Sequence, residues 1–122
     1  MILEAATLCL ALNIYHESRG EPLLGQYAVA MVTLNRAERD PSKVCNEVFD
    51  HAQFSWTLEP STYGVHDTEA WRTATIIAIT AWDKSDFTGG ATHYFNPDKA
   101  NPDWARSMKF LMKIGRHVFY KE

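Results

Sequence analysis

The sequence contains no apolar run long enough to cross a membrane. Its first residues, MILEAATLCLALNIY, are mostly apolar, but they include Glu4 and fall short of the roughly 20 residues that a bilayer requires. They also lack the basic start and the small-residue cleavage site of a secretory signal peptide. This stretch therefore predicts a helix of the protein core. We expect a product made in the cytoplasm, without stable membrane insertion.

Cysteine is scarce, and histidine is scattered. Cys9 and Cys45 are too few and too far apart for a zinc motif, and each falls in a predicted helix, where a small buried hydrophobic side chain is the simplest interpretation. A bridge between them is the open alternative. His16-Glu17 lacks the second histidine of a zinc protease, because that position is Gly20. We expect neither a metal nor a cofactor.

Signals for several other functions are also missing. Ser18 and Ser55 have no serine-hydrolase elbow around them, and the TGG segment is too short to cradle a phosphate. The formal net charge of −3 excludes binding of nucleic acid by the whole protein. Basic residues do concentrate in residues 99–122. This basic end could meet an anionic cell wall, but a solvated positive face is the favoured interpretation.

Hydrophobic periodicity predicts one mostly helical domain over residues 1–122. Helical spacing covers residues 3–17, 22–39, 41–49 and 67–83, with Asp40 and Asp67 as N-caps. Residues 51–64 lose the helical period and favour a small strand or hairpin. ATHYF at 91–95 predicts an extended segment, and a short helix follows around Trp104. KFLMKIGRHVFYK fits either a helix then a strand, or two strands about Gly115.

Glu17 lies at the end of the first predicted helix, because Ser18 and Gly20 weaken the helix directly after it. Its carboxylate would face the negative end of the helix dipole, and burial would raise its pKa further. An acid that stays protonated near neutral pH can donate a proton to a glycosidic oxygen. The alternative is an exposed glutamate paired with Arg19 or Arg36.

Two short segments alternate aromatic rings with hydrogen-bonding side chains: QFSW at 53–56 and HYFN at 93–96. Proteins bind sugars with such sets, because rings face the apolar side of a pyranose while polar groups meet hydroxyl and N-acetyl groups. The alternative is that Phe54, Trp56 and Tyr94 fill the core on one strand face. The residues alone favour neither interpretation.

The segment IYHESRGEPLLGQYAVAMVTLNR, residues 14–36, resembles the leading motif of the SleB/CwlJ-type cell-wall hydrolases. This family includes spore-cortex-lytic enzymes and phage endolysins. Ser18 occupies a position where alanine is commoner. QFSW, TGGATHYFNPDKANPDW and IGRHVFY resemble the later blocks of the family in the same order. The likeness therefore covers nearly the whole chain.

The resemblance implies an α+β, mostly α, lysozyme-like fold with a small β element that flanks the active-site cleft. It implies a lytic transglycosylase that cuts peptidoglycan glycan strands between N-acetylmuramic acid and N-acetylglucosamine. Glu17 matches the catalytic glutamate of the family. Tyr94 matches a tyrosine that contacts this glutamate, and Asn96 is a candidate for sugar contact. The other expected substrate-binding residues, on the opposite wall, are Gln53, Phe54 and Ser55.

The number of carboxyl groups separates two reaction types. A lysozyme-type hydrolase normally uses two, whereas a lytic transglycosylase can use one. Asp50 and Glu59 are candidates for a second group, but neither clearly matches, so we predict the transglycosylase. The alternatives are a water-using muramidase, a non-catalytic peptidoglycan-binding module, and a metal-dependent peptidase or amidase.

The sequence contains no recognisable binding repeats and no linker beside the catalytic motifs. The absence of these features, together with the missing signal peptide, predicts a monomeric phage endolysin. Such a protein depends on a partner holin for release and acts on the cell wall, in the periplasm of a Gram-negative host.

Overall fold

The computed structural model describes residues 1–51 and 64–122 of the chain. The described residues form four α-helices, followed by a small sheet. The helices are α1 (Ile2–Ser18), α2 (Leu23–Arg36), α3 (Pro41–His51) and α4 (Thr68–Ala81). The remaining elements are strand β1 (His93–Phe95), a 3₁₀ helix (Asp103–Arg106), and strands β2 (Lys109–Ile114) and β3 (His117–Lys121). The two-strand interpretation of the C-terminal segment is thus confirmed. Of the strand or hairpin predicted over residues 51–64, His51 belongs to α3, and residues 52–63 lie outside the described residues.

Helix α1 is the central helix of the fold. Leu10, Ile14 and Tyr15 are among its many buried residues, and it packs against α2, α3 and α4. A helix that is buried on most sides is surrounded by other elements, and its apolar content follows from that position. Neither α1 nor any other helix of the described residues is long and apolar enough to span a membrane.

A disulfide bond between Cys9 and Cys45 joins α1 to α3. The expectation of two separate buried hydrophobic side chains is therefore wrong. The Cα atoms of the two cysteines lie 5.3 Å apart, within the range that a bridge requires. Because 36 positions separate them along the chain, this proximity comes from the packing of α1 on α3.

Both predicted N-caps are confirmed. The Asp40 Oδ1 atom accepts a hydrogen bond from the Ser42 amide at 2.9 Å, at the start of α3. The Asp67 Oδ1 atom accepts one from the Ala70 amide at 3.0 Å, at the start of α4. Each carboxylate satisfies an amide that has no partner within its own helix.

Helix α2 ends at Arg36, before the predicted end at residue 39. Glu38 and Arg39 adopt φ angles of 58° and 56°, a left-handed conformation that cannot continue the helix. The Arg39 guanidinium donates hydrogen bonds to the carbonyl oxygens of Trp82 and Lys84, just after α4. These contacts to a distant segment hold the turn and shorten the helix.

The three strands form an antiparallel sheet in the order β1-β3-β2. Strands β2 and β3 are joined about Gly115, where φ is 57° and where a Cβ atom would collide with the Glu21 carboxylate. Only glycine fits there. Tyr94 of β1 pairs with Phe119 of β3, and this face of the sheet packs on α2 around Val29. The sheet thereby brings β1 to the end of α1.

Candidate active site

Glu17 lies in the last turn of α1, where its side chain is half-buried. The Tyr94 hydroxyl on β1 donates a hydrogen bond to Glu17 Oε1 at 3.3 Å. These residues are far apart in the sequence and meet because the sheet packs beside the helical layer. The structure thus brings together two of the side chains that the resemblance singled out.

Burial raises the pKa of Glu17 from 4.5 to about 7. Loss of solvent around the carboxylate is the largest cause. The Tyr94 hydrogen bond and the positive charge of Lys99 act in the opposite direction, because both stabilise the ionised form. Near neutral pH this carboxyl group can therefore donate a proton and, once ionised, accept one.

The two arginines that were alternative partners of Glu17 are bound elsewhere. Arg19 Nη1 donates to the Tyr15 hydroxyl at 2.6 Å, and its guanidinium lies over the Tyr15 ring. Arg36 Nε donates to Glu47 Oε2 at 3.1 Å. The alternative of an exposed Glu17 neutralised by arginine is therefore wrong.

Tyr94 keeps its proton. Burial and the negative charge of Glu17 raise the pKa of Tyr94 well above its usual value, so its hydroxyl remains a hydrogen-bond donor. The Asn13 side chain, one helical turn before Glu17, also faces this hydroxyl and donates to Thr33 Oγ1 at 3.3 Å. No sequence motif singles out Asn13, although its spacing of four residues places it on the Glu17 face of α1.

Glu17 and Tyr94 lie between two cavities. An inner cavity of about 170 Å³ extends from them toward α2 and α3 and is also lined by the Arg36–Glu47 ion pair. A larger cavity of about 610 Å³ lies on the other side of the same two residues. Its further lining includes Phe95, Asn96, Lys99, Arg116 and His117. The carboxyl group therefore borders a cavity on each of two sides.

A second glutamate, Glu21, lines the larger cavity and is held in its ionised form. It is buried, and its two oxygens accept hydrogen bonds from the Arg116 amide at 2.8 Å and from Arg116 Nε at 2.6 Å. Desolvation acts to raise its pKa, but these hydrogen bonds outweigh it and hold the pKa below its usual value. Glu21 is therefore a fixed anion that anchors the β2–β3 turn.

Of the remaining predicted residues, two are among the described residues, Asn96 and Asp50. Asn96 lines the larger cavity, and its Oδ1 accepts a hydrogen bond from the Asp98 amide at 2.9 Å, so it also shapes the turn after β1. Asp50 is exposed on α3 and lines neither cavity. The other predicted residues lie outside the described residues: Gln53, Phe54, Ser55 and Glu59. Within residues 1–51 and 64–122, no three His, Cys, Asp or Glu side chains cluster as metal ligands do.

Residues 20–120 match a protein family described as Cell Wall Hydrolase. The matched range begins after Glu17. The spore cortex-lytic enzyme of Bacillus cereus is 40% identical over 114 residues, which are 92% of this chain and 42% of that protein. The enzyme of the same name from Halalkalibacterium halodurans is 39% identical over 112 residues, 90% of this chain and 33% of that protein. The chain thus spans less than half the length of these relatives.

Solved structures extend the likeness to three dimensions. The catalytic domain of the germination-specific lytic transglycosylase SleB from Bacillus anthracis is 36% identical, with a TM-score of 0.77 over 95% of this chain and 93% of that one. The catalytic domain of the Bacillus cereus SleB protein is 35% identical, with a TM-score of 0.73 over 96% and 91%. The predicted α+β, mostly α, lysozyme-like fold is thereby confirmed.

Proposed function

Because the chain belongs to the Cell Wall Hydrolase family, we propose that it cleaves the glycan strands of peptidoglycan between N-acetylmuramic acid and N-acetylglucosamine. This membership agrees with the resemblance found in the sequence motifs. One observation carries the proposal: the half-buried Glu17, with a pKa of about 7, binds the Tyr94 hydroxyl between two cavities.

Glu17 acts first as a general acid. Its protonated carboxyl group donates a proton to the glycosidic oxygen as the bond from that oxygen to C1 of the muramic acid breaks. Positive charge then develops at C1, and a carboxylate beside the departing oxygen stabilises this charge. The Tyr94 hydroxyl stabilises the same carboxylate by its hydrogen bond, so the acid gives up its proton more readily.

Glu17 then acts as a base. The ionised carboxylate takes the proton of the muramic acid 6-hydroxyl while that oxygen forms a bond to C1. A 1,6-anhydro ring closes, Glu17 is protonated again, and no water is consumed. The attack is intramolecular, so it avoids the entropy cost of holding a separate nucleophile.

The carboxylates around Glu17 support a mechanism with one acid. Glu21 is fixed by Arg116, and Glu47 is paired with Arg36. A water-using muramidase normally uses a second carboxylate that is free to act as nucleophile or base. In the part of the chain that the structure describes, both carboxylates that share the cavities with Glu17 are already bound to arginine.

Product analysis tests this proposal. Purified sacculi are digested with the wild-type protein, with Glu17→Gln and with the exposed control Glu69→Gln, and the released fragments are identified by mass spectrometry. We expect 1,6-anhydro ends from the wild type and from the control, and no release by Glu17→Gln. Reducing muramic acid ends would instead identify a muramidase, and co-sedimentation with sacculi without release would identify a binding module.

The biological setting is a further proposal. The relatives carry the name spore cortex-lytic enzyme, and the family that the motifs resemble also includes phage endolysins. A monomeric endolysin, made in the cytoplasm and released to the wall by a holin, stays the prediction. Expression in a bacterial host with and without a holin tests the endolysin role. Lysis only when the holin is present would support it, and lysis at equal rates in both strains would contradict it.

A further inference from the structure

We propose that the larger cavity contains a carboxylate-binding subsite at Lys99, which receives the acidic substituent of the muramic acid that Glu17 attacks. The inference rests on the proposed function, because it concerns the same substrate. Two sugars alternate along a glycan strand, so the strand contains two kinds of glycosidic bond. The subsite explains how only one of these two kinds is placed at Glu17.

The cations around the larger cavity differ in what they already bind. Arg19 is held by the Tyr15 hydroxyl and ring, and Arg116 is bound through its Nε to Glu21. Lys99 is exposed at the cavity, and its ammonium has no ion pair or hydrogen bond within residues 1–51 and 64–122. Of these three cations, Lys99 is therefore the one whose charged group makes no hydrogen bond or ion pair within residues 1–51 and 64–122, so it can bind an anion of the substrate without competition from a protein partner.

The backbone at Lys99 is fixed by a tight turn. The Asn96 carbonyl oxygen accepts hydrogen bonds from the amides of Lys99 and Ala100 at 2.9 and 3.0 Å. The Asn96 side chain closes the same turn through the Asp98 amide. Because this turn directly follows β1, Lys99 is held at a defined position relative to Tyr94.

The positive charge of Lys99 acts on Glu17, the reacting group. Lys99, Glu17 and His117 line the same cavity, and the positive charge of Lys99 acts to lower the pKa of both other groups. With Glu17 protonated and Glu21 neutralised by Arg116, the cavity keeps a surplus of positive charge. Such a cavity favours a carboxylate over a neutral sugar.

Peptidoglycan places its acids on one sugar only. Muramic acid carries a lactyl ether on C3, two carbons from the C1 atom at which cleavage takes place, and N-acetylglucosamine carries no acid. The carboxylate is that of the lactyl group itself where the peptide is absent, or one on the stem peptide attached to it. A cation beside Glu17 therefore stabilises the register in which muramic acid occupies the cleavage position.

Three soluble glycan preparations separate these sources. The first keeps its stem peptides with free carboxylates. The second has lost the peptides to an amidase, which leaves the lactyl carboxylate free. The third keeps its peptides with the carboxylates converted to amides. The value of kcat/KM is measured on each for the wild type, for Lys99→Gln, and for Lys109→Gln, which removes an exposed lysine of β2 that lines neither cavity.

We expect the wild type to prefer carboxylate-bearing glycan over amidated glycan by about two- to fivefold, the range of an exposed ion pair. The preference should fall in 1 M salt, disappear in Lys99→Gln and persist in Lys109→Gln. The ratio between substrates is the readout because any effect of Lys99 on the Glu17 pKa acts on all three alike. Preference for the first preparation alone identifies stem carboxylates, and preference for the second identifies the lactyl carboxylate.

Two results overturn the inference in distinguishable ways. If the wild type releases products from all three preparations without preference, or if Lys99→Gln keeps the preference, the subsite is refuted and the proposed function stands. If the wild type releases nothing from any preparation, the proposed function fails and the subsite fails with it. Thermal unfolding of each variant shows whether a loss of preference reflects a loss of fold.

Discussion

Replacing the catalytic candidate should stabilise the protein. In Glu17→Gln, the half-buried carboxyl group becomes a neutral amide of nearly the same shape, which can still accept the Tyr94 hydrogen bond. The wild type must either keep a proton on Glu17 or bury a charge. Both cost free energy at any pH above the pKa that Glu17 has in the unfolded chain. The variant avoids this cost but loses the acid.

The magnitude follows from the pKa difference. The pKa of Glu17 rises from 4.5 to about 7 on folding, and each pKa unit corresponds to about 1.36 kcal/mol. Because the folded pKa is the higher one, the folded state binds the proton more tightly, and stability is lost as pH rises from about 4.5 to about 7. With allowance for partial exposure of the side chain, we expect Glu17→Gln to gain about 2 to 3 kcal/mol above pH 7.

Urea unfolding between pH 4.5 and pH 9 measures this effect in the wild type, in Glu17→Gln and in the exposed control Glu69→Gln. The difference between Glu17→Gln and the wild type should be small at pH 4.5, should grow up to about pH 7, and should then stay constant. The Glu69→Gln curve should run parallel to the wild type throughout. A Glu17→Gln curve that also runs parallel to the wild type would refute the desolvation of Glu17.

Three further changes have defined outcomes. Tyr94→Phe removes a donor that stabilises the Glu17 carboxylate, so kcat should fall roughly tenfold or more, and the alkaline limb of the pH–rate profile should move to higher pH; an unchanged profile would argue against the contact. Replacing Cys9 and Cys45 by serine should lower the free energy of unfolding in urea by about 2 to 4 kcal/mol, because the bridge closes a loop over 36 positions; a loss below about 1 kcal/mol would show that the bridge constrains the chain little. Glu21→Gln weakens the anion that holds the β2–β3 turn and should cost about 1 to 3 kcal/mol in the same assay; equal stability would contradict the anchoring role.

The sequence was most informative where local chemistry determines structure. Apolar periodicity followed by Ser18 and Gly20 placed Glu17 at a helix end, and side-chain chemistry identified the caps at Asp40 and Asp67. The role of Tyr94 could be predicted only from the family resemblance, because its contact with Glu17 depends on how the sheet packs beside the helices.

Contacts between distant segments could not be predicted from periodicity or spacing. The bridge between Cys9 and Cys45 depends on the packing of α1 on α3. Glu21 meets Arg116 across 95 positions because the β2–β3 turn folds back onto the start of α2. Lys99 looked like part of a general basic region, and only the turn after β1 places it near Glu17.

The protonation of Glu17 itself is the most direct test of the account. In protein labelled with 13C at glutamate side-chain carboxyl groups, the Glu17 signal is assigned by its absence from the Glu17→Gln spectrum and is followed by NMR as pH changes. We expect a midpoint near pH 7, because burial of Glu17 favours its protonated form. A midpoint near 4.5 would show a solvated carboxylate that cannot serve as the acid, and it would contradict the proposed mechanism.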